Sequence, residues 1–234
     1  MQQRYERNIP SVSEEEQAVL SRKRVLVAGC GGLGGYLLEM LLRAGVGEIS
    51  AVDADRFEES NLNRQLCALS STVGKSKVSV MAERLRDINP DIELRCIEGH
   101  YEAAGRERFF ADYDFAVDCI DLVACKIDLI LSCRERGIPV VSALGTGNKS
   151  DALQLRLDDI SKTYGCTFAR VIRKELRERG VAHHPVVYRP EPPLPAAQVE
   201  APPPGRRSVP GSLVWVPATA GMLLCQYVVT ELIK

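Results

Sequence analysis

The 234 residues are 45% hydrophobic and 26% charged, enough to bury a core as one elaborated domain or two small ones, which excludes a disordered chain. A formal net charge of -1 excludes bulk attraction to nucleic acid, so any RNA contact has to come from a local basic patch. No apolar signal core opens the chain, and the apolar stretch 213–233 is interrupted by Pro217, Gln226 and Glu231; a cytoplasmic protein with no membrane segment is expected.

In chain order, a strand over 24–28 runs into a glycine-rich turn and then into a helical pattern carrying Leu37, Leu38, Leu41 and Leu42. A strand over 48–53, a helix over 75–88, strands over 92–97 and 115–118, a helix over 122–136 and a strand over 139–143 follow. This alternation predicts an α/β fold, a Rossmann-like, doubly wound and largely parallel sheet. After Leu144 the pattern changes. A helix is expected over 167–179, and 190–210, with eight of the thirteen prolines, is expected to be a mobile loop. A strand over 212–216 and a helix over 218–233 should then pack back on the core. The chain thus divides into a nucleotide-binding core with an N-terminal arm (1–144), a basic segment with the proline-rich loop (145–211) and a returning C-terminal piece (212–234).

Gly29, Gly31 and Gly34, with Gly32 between them, fit the pattern that lets a backbone turn tightly beside a phosphate and open a helix toward it. Asp53 ends the second strand, and Asp55 lies 21 residues beyond Gly34, where an acidic side chain accepts hydrogen bonds from ribose hydroxyls. A dinucleotide enzyme would begin its next helix here. Instead Asn61, Asn63, Arg64 and Gln65 bring amides and an arginine that suit a triphosphate, which points to ATP; the alternative for Arg64 is an ion pair with Glu58 or Glu59. The stretch 73–76 imitates the end of a P-loop, but Leu69 stands where that motif needs its first glycine, and no strand leads into it. Lys77 is the better second phosphate contact. Asp121, after a predicted strand, is positioned either to hold Mg²⁺ against the phosphates or to cap a helix.

At these residues the sequence resembles the ThiF/MoeB/HesA superfamily of carboxylate-adenylating enzymes, through RYERNI (4–9), GCGGLGG (29–35), DADRFEESNLNRQ (53–65), VGKSK (73–77) and DCID (118–121). The resemblance implies that Asp55 binds ribose, that Asn63, Arg64 and Lys77 contact ATP, that Asp121 handles Mg²⁺, and that Arg7 reaches the site of a homodimer partner. Sulfur-carrier-activating members generally hold zinc on two Cys-x-x-Cys pairs. None of the eight cysteines here forms such a pair, so no zinc is expected and most cysteines read as buried small hydrophobes. The segments 121–130, 145–181 and 210–221 are similar instead to the tRNA threonylcarbamoyladenosine dehydratase branch, in which ATP activates a carboxylate on a tRNA adenosine and ring closure removes water. The opening 4–17 leans toward the carrier-adenylating members, so the alternative is an adenylyltransferase acting on the C-terminal Gly-Gly of a sulfur carrier, with a carrier or cysteine desulfurase as partner.

Between Arg156 and Arg189 there are eight Lys or Arg against four Asp or Glu. Within the expected helix Arg170, Arg173, Lys174 and Arg177 form a basic stripe beside Phe168, Val171, Ile172 and Leu176, so the helix can dock while presenting charge to tRNA phosphates. An ordinary solvated face is the other reading. With Asn148, Lys149 and Lys162, these are the candidate substrate contacts. Cys166 stands where a loop becomes a helix, either as a thiol with a lowered pKa or as a buried structural residue. His183 and His184 read as loop residues.

Overall fold

The computed structural model describes residues 3–191 and 210–234. The segment expected to be a mobile proline-rich loop lies, from 192 to 209, outside the described residues.

Seven strands form one sheet: β1 (Arg24–Ala28), β2 (Glu48–Asp53), β3 (Glu93–Glu98), β4 (Phe115–Asp118), β5 (Val140–Ala143), β6 (Arg156–Asp159) and β7 (Pro185–Tyr188), in the order β3-β2-β1-β4-β5-β7-β6. Every neighbouring pair is parallel except β6 with β7. Strand β1 is apolar on both faces because both are covered. Val25 and Val27 point into one core with α1 (Glu14–Leu20), α2 (Gly34–Ala44), α3 (Lys77–Ile88) and α6 (Trp215–Leu232). Leu26 and Ala28 point into the other, under α4 (Val123–Glu135) and α5 (Thr167–Glu178). The fold class read from the alternation is the observed one.

Helix α2 stops at Gly45, whose left-handed φ of 98° lets its N–H bond the carbonyls of Leu41 and Leu42. Helix α6 lies on α2, and Gly221 makes that contact close: a Cβ there would stand 2.7 Å from Leu33 O. Pro217 falls in the first turn of α6, where its missing N–H is one no helical carbonyl would accept.

Three expectations are corrected. Residues 212–216 form no strand: α6 already begins at Trp215, the preceding residues carry no sheet pairing, and Leu213, Val214 and Trp215 are exposed. Strands β6 and β7, absent from the sequence reading, extend the sheet; β6 is a polar edge strand, RLDD, and β7 is a short run that opens on a proline, PVVY. The buried face of α5 is Ala169, Ile172 and Leu176, while Val171 is exposed. Among the described residues no helix is long and apolar enough to cross a membrane.

Candidate active site

The strand order reverses direction between β1 and β4, and the crevice beyond their carboxyl ends is where ligands of such sheets bind. The glycine turn fills that crevice. Gly29 has a left-handed φ of 104°, and a Cβ on Gly34 would lie 1.7 Å from Gly29 O, so the turn closes only with glycine at both positions. Asp53 braces it from β2, accepting from Cys30 N at 2.6 Å and Asp55 N at 2.8 Å. The N-cap position of α2, Leu33, makes no side-chain cap bond, and Gly35 N donates to Gly31 O within the turn; a helix start without a side-chain cap is a place where anions bind.

The segment after β2 folds over this turn. The nearest atom to a Cβ on Gly32 would be Arg64 Cγ, at 3.3 Å, and the nearest to one on Gly31 would be Gln65 Nε2, at 3.9 Å. Arg64 donates to Ser60 O and Asn63 Oδ1, and Asn63 Nδ2 donates to Ser212 O at 2.9 Å. Asn61 is buried and uses its amide within its own turn, on Glu58 N and Ser60 Oγ.

Residues 55–57 and 74–77 run antiparallel: Gly74 N bonds Phe57 O, Phe57 N bonds Lys75 O and Lys77 N bonds Asp55 O. The false P-loop is thus one side of a small clasp that delivers Lys77, itself buried, to 2.8 Å from Asp55 Oδ2. Asp121 is exposed on the turn between β4 and α4, and the N-cap position of α4 is Leu122. Sequence reasoning passed over Lys126. This lysine of α4 is fully buried, with Nζ 2.5 Å from the equally buried Asp118 Oδ2 and 3.0 Å from Ala143 O; its signal was a cation between Cys125 and Ile127, eight residues after Asp118. Asp118 Oδ1 also accepts from Ile120 N, which shapes the turn leading to Asp121.

Arg7 is not brought to this crevice. It is exposed in a 3-10 turn (Gln3–Asn8) whose Asn8 bonds Arg43 O, at the far end of α2 from the glycine turn. Asn148, at a left-handed φ of 55°, clasps Gly211 with two hydrogen bonds, Asn148 N to Gly211 O and Gly211 N to Asn148 Oδ1. Lys149 beside it is buried. The basic stripe of α5 is divided: Arg173 turns inward onto Thr163 O and Oγ1, Lys174 pairs with Glu178, and Arg170 and Arg177 are exposed. Lys162 is an exposed partner of Asp158.

The two histidines differ. His183 is exposed beside Asp159, whereas His184 is buried, with Nε2 2.8 Å from Ser142 Oγ. Burial, with Lys126 and Arg134 nearby, brings its pKa down to about 3. Five cysteines are buried, and burial pushes the Cys67 thiol up to about 11 and those of Cys133 and Cys225 up to about 12. Cys166 is one of the five, capping α5 through its sulfur.

A Rossmann-type sheet with a glycine turn at its switch point, roofed by an arginine-bearing segment, defines a nucleotide-binding protein of the adenylating kind. The chain belongs to the ThiF family, which it matches over residues 5–234. It is 36% identical to a tRNA threonylcarbamoyladenosine dehydratase of Bacillus subtilis, across 100% of this chain and 96% of that one. It superposes on the Escherichia coli tRNA N6-threonylcarbamoyladenosine dehydratase TcdA crystallised with ATP at a TM-score of 0.88 and 28% identity, covering 98% of this chain and 93% of that one, although the sequence alignment spans only 62% of the E. coli enzyme. The adenylyltransferase and sulfurtransferase UBA4 of Candida glabrata is 34% identical over 65% of this chain and 35% of its own.

Proposed function

We propose that this protein is an ATP-dependent tRNA threonylcarbamoyladenosine dehydratase. The observation that carries the reading is the end-to-end match to the B. subtilis dehydratase, against 65% of this chain for the carrier-adenylating relative. The glycine turn and the uncapped start of α2 receive phosphate oxygens, and Asp55 takes the ribose. Asn63, Arg64 and Lys77 hold the triphosphate so that its α-phosphorus meets the substrate carboxylate; bringing two anions together needs cations more than a general base. The carboxylate displaces pyrophosphate. A nucleophile within the same threonylcarbamoyl group then attacks the activated carbonyl, and AMP leaves with the oxygen that ring closure removes.

Mg²⁺ fits this site through one exposed carboxylate, Asp121, with the phosphates completing its shell, since this ion is commonly held by one or two carboxylates. Its chemistry would be charge neutralisation on the phosphates. No group of three metal-ligating His, Cys, Asp or Glu occurs among the described residues. Arg7 is assigned to the crevice of a second copy: α2, at 11 residues about 16 Å long, separates it from its own. Exposed Arg170 and Arg177 serve tRNA phosphates.

The test is incubation with ATP, Mg²⁺ and tRNA carrying threonylcarbamoyladenosine. The expected result is a nucleoside lighter by one water. An unchanged nucleoside under conditions where ATP binds overturns the reading, and ATP–pyrophosphate exchange that appears only with a Gly-Gly-ending carrier replaces it with the sulfur-carrier reaction.

A further inference from the structure

Strands β5 and β7 end side by side, since Leu144 N donates to Val187 O at 2.8 Å, and the residues leaving them carry two buried cations. Lys149 is 3% exposed and Arg189 0%. Arg189 Nη2 pairs with Glu191, but its Nε and Nη1 and the Lys149 Nζ have no hydrogen-bond partner among the described residues. The loop bearing Lys149 is pinned over the start of α5: Gly145 has a left-handed φ of 57°, and a Cβ there would come within 2.4 Å of Cys166 Sγ. Burial, aided by the Arg189 guanidinium, pushes the Lys149 ammonium below its usual range, against the pull of Cys166 and Glu191. Two cations thus face one carboxylate in a dry place, with donors of a kind that native proteins complete by water, ions or ligands.

We propose that Lys149 and Arg189 form an anion cradle at the carboxyl ends of β5 and β7 that takes an anionic group of the substrate, carboxylate or phosphate, with Glu191 as the resident carboxylate of the free protein. The side chain of Glu191 is 26% exposed, so it can rotate away as the incoming anion replaces it, and the charge balance is kept. The cradle lies one strand from the nucleotide crevice: Lys126, paired to the last residue of β4, also bonds the last residue of β5. Asn63 of the nucleotide segment holds Ser212 O, and Asn148, the neighbour of Lys149, holds Gly211. An anion held there would lie at the same end of the sheet as the nucleotide crevice, one strand along from β4. The identity of the substrate rests on the dehydratase reading; the cradle itself does not.

The test titrates inorganic phosphate against thermal denaturation with ATP saturating, so that the nucleotide crevice is already filled. The midpoint of the wild type should rise with phosphate. Glu191→Gln removes the internal competitor and should respond at about tenfold lower phosphate, while Lys149→Gln should lose the response, as expected for a charge-assisted hydrogen bond gained or lost. With modified tRNA, Lys149→Gln should raise KM at least about tenfold and Glu191→Gln should lower it, the KM for ATP being unchanged in both. If the wild type prefers the free nucleoside acid to its methyl ester as inhibitor and Lys149→Gln does not, the anion is the substrate carboxylate; equally weakened binding of unmodified tRNA assigns it to an RNA phosphate. Equal shifts of both variants at every phosphate concentration overturn the proposal, even if the protein proves inactive on tRNA. So does an unchanged KM in both variants of an active enzyme.

Discussion

The stem of Arg64 lies against the backbone of Gly32, where a Cβ would stand 3.3 Å from Arg64 Cγ. That contact sets the arginine beside the turn that opens α2, in a place where a side chain on Gly32 would push it aside. Arg64→Ala should lower kcat/KM about 10²- to 10³-fold, as removing one preorganised donor does, and leave the melting temperature nearly unchanged. Gly32→Ala should produce a smaller loss in the same parameter. Steady-state kinetics with ATP varied, beside thermal melts, separates the two.

The Asp118–Lys126 pair is fully buried. Lys126→Met leaves a buried carboxylate alone and should destabilise by about 3–5 kcal/mol, whereas Asp118→Asn with Lys126→Met should recover much of that loss. Urea denaturation of both singles and the double gives the coupling, and a double variant no more stable than the lysine single would contradict it.

His184 gives acid sensitivity with a definite sign. Its folded pKa of about 3 lies below the unfolded value of 6.5, so the unfolded chain binds the proton first as pH falls. Its contribution is intact above pH 6.5 and declines steadily as pH drops toward 3, at up to about 1.4 kcal/mol per unit. Between pH 7 and pH 5 the wild type should therefore lose about 2 kcal/mol that His184→Gln does not lose. Parallel denaturation curves at the two pH values provide the comparison.

Gly221 seats α6 on α2. Alanine is ordinarily the better helix former, yet its Cβ would meet Leu33 O at 2.7 Å and Leu37 N at 3.3 Å. Gly221→Ala should lower stability by about 1–3 kcal/mol because the helices must separate. A raised melting temperature would show that the contact relaxes freely.

The parallel core was legible because both faces of its strands are covered: the apolar runs 24–28 and 48–53 coincide with β1 and β2. The crevice was legible because its glycines and the 53–65 segment are contiguous motifs, and the turn needs glycine for steric reasons visible in any sequence. What escaped notice depends on distant residues. Lys126 owes its role to Asp118 at the end of β4 and to Ala143 at the end of β5, and His184 owes its role to Ser142 on β5. Arg173 has the right period for an exposed stripe, yet it bends to Thr163, which no helical period records. The run Leu213, Val214, Trp215 has the hydrophobicity of a strand, but these residues pair with none of the seven strands and α6 begins at Trp215.

Helix α2 opens at the glycine turn and is covered along its length by α6, nearly the whole described chain later. A growing polypeptide therefore presents the glycine turn long before the helix that it opens has its cover. Until residues 215–232 leave the ribosome, the 33–37 end of α2, which Gly221 meets, lacks that cover. A chain stalled before α6 would expose the α2 surface that Gly221 covers.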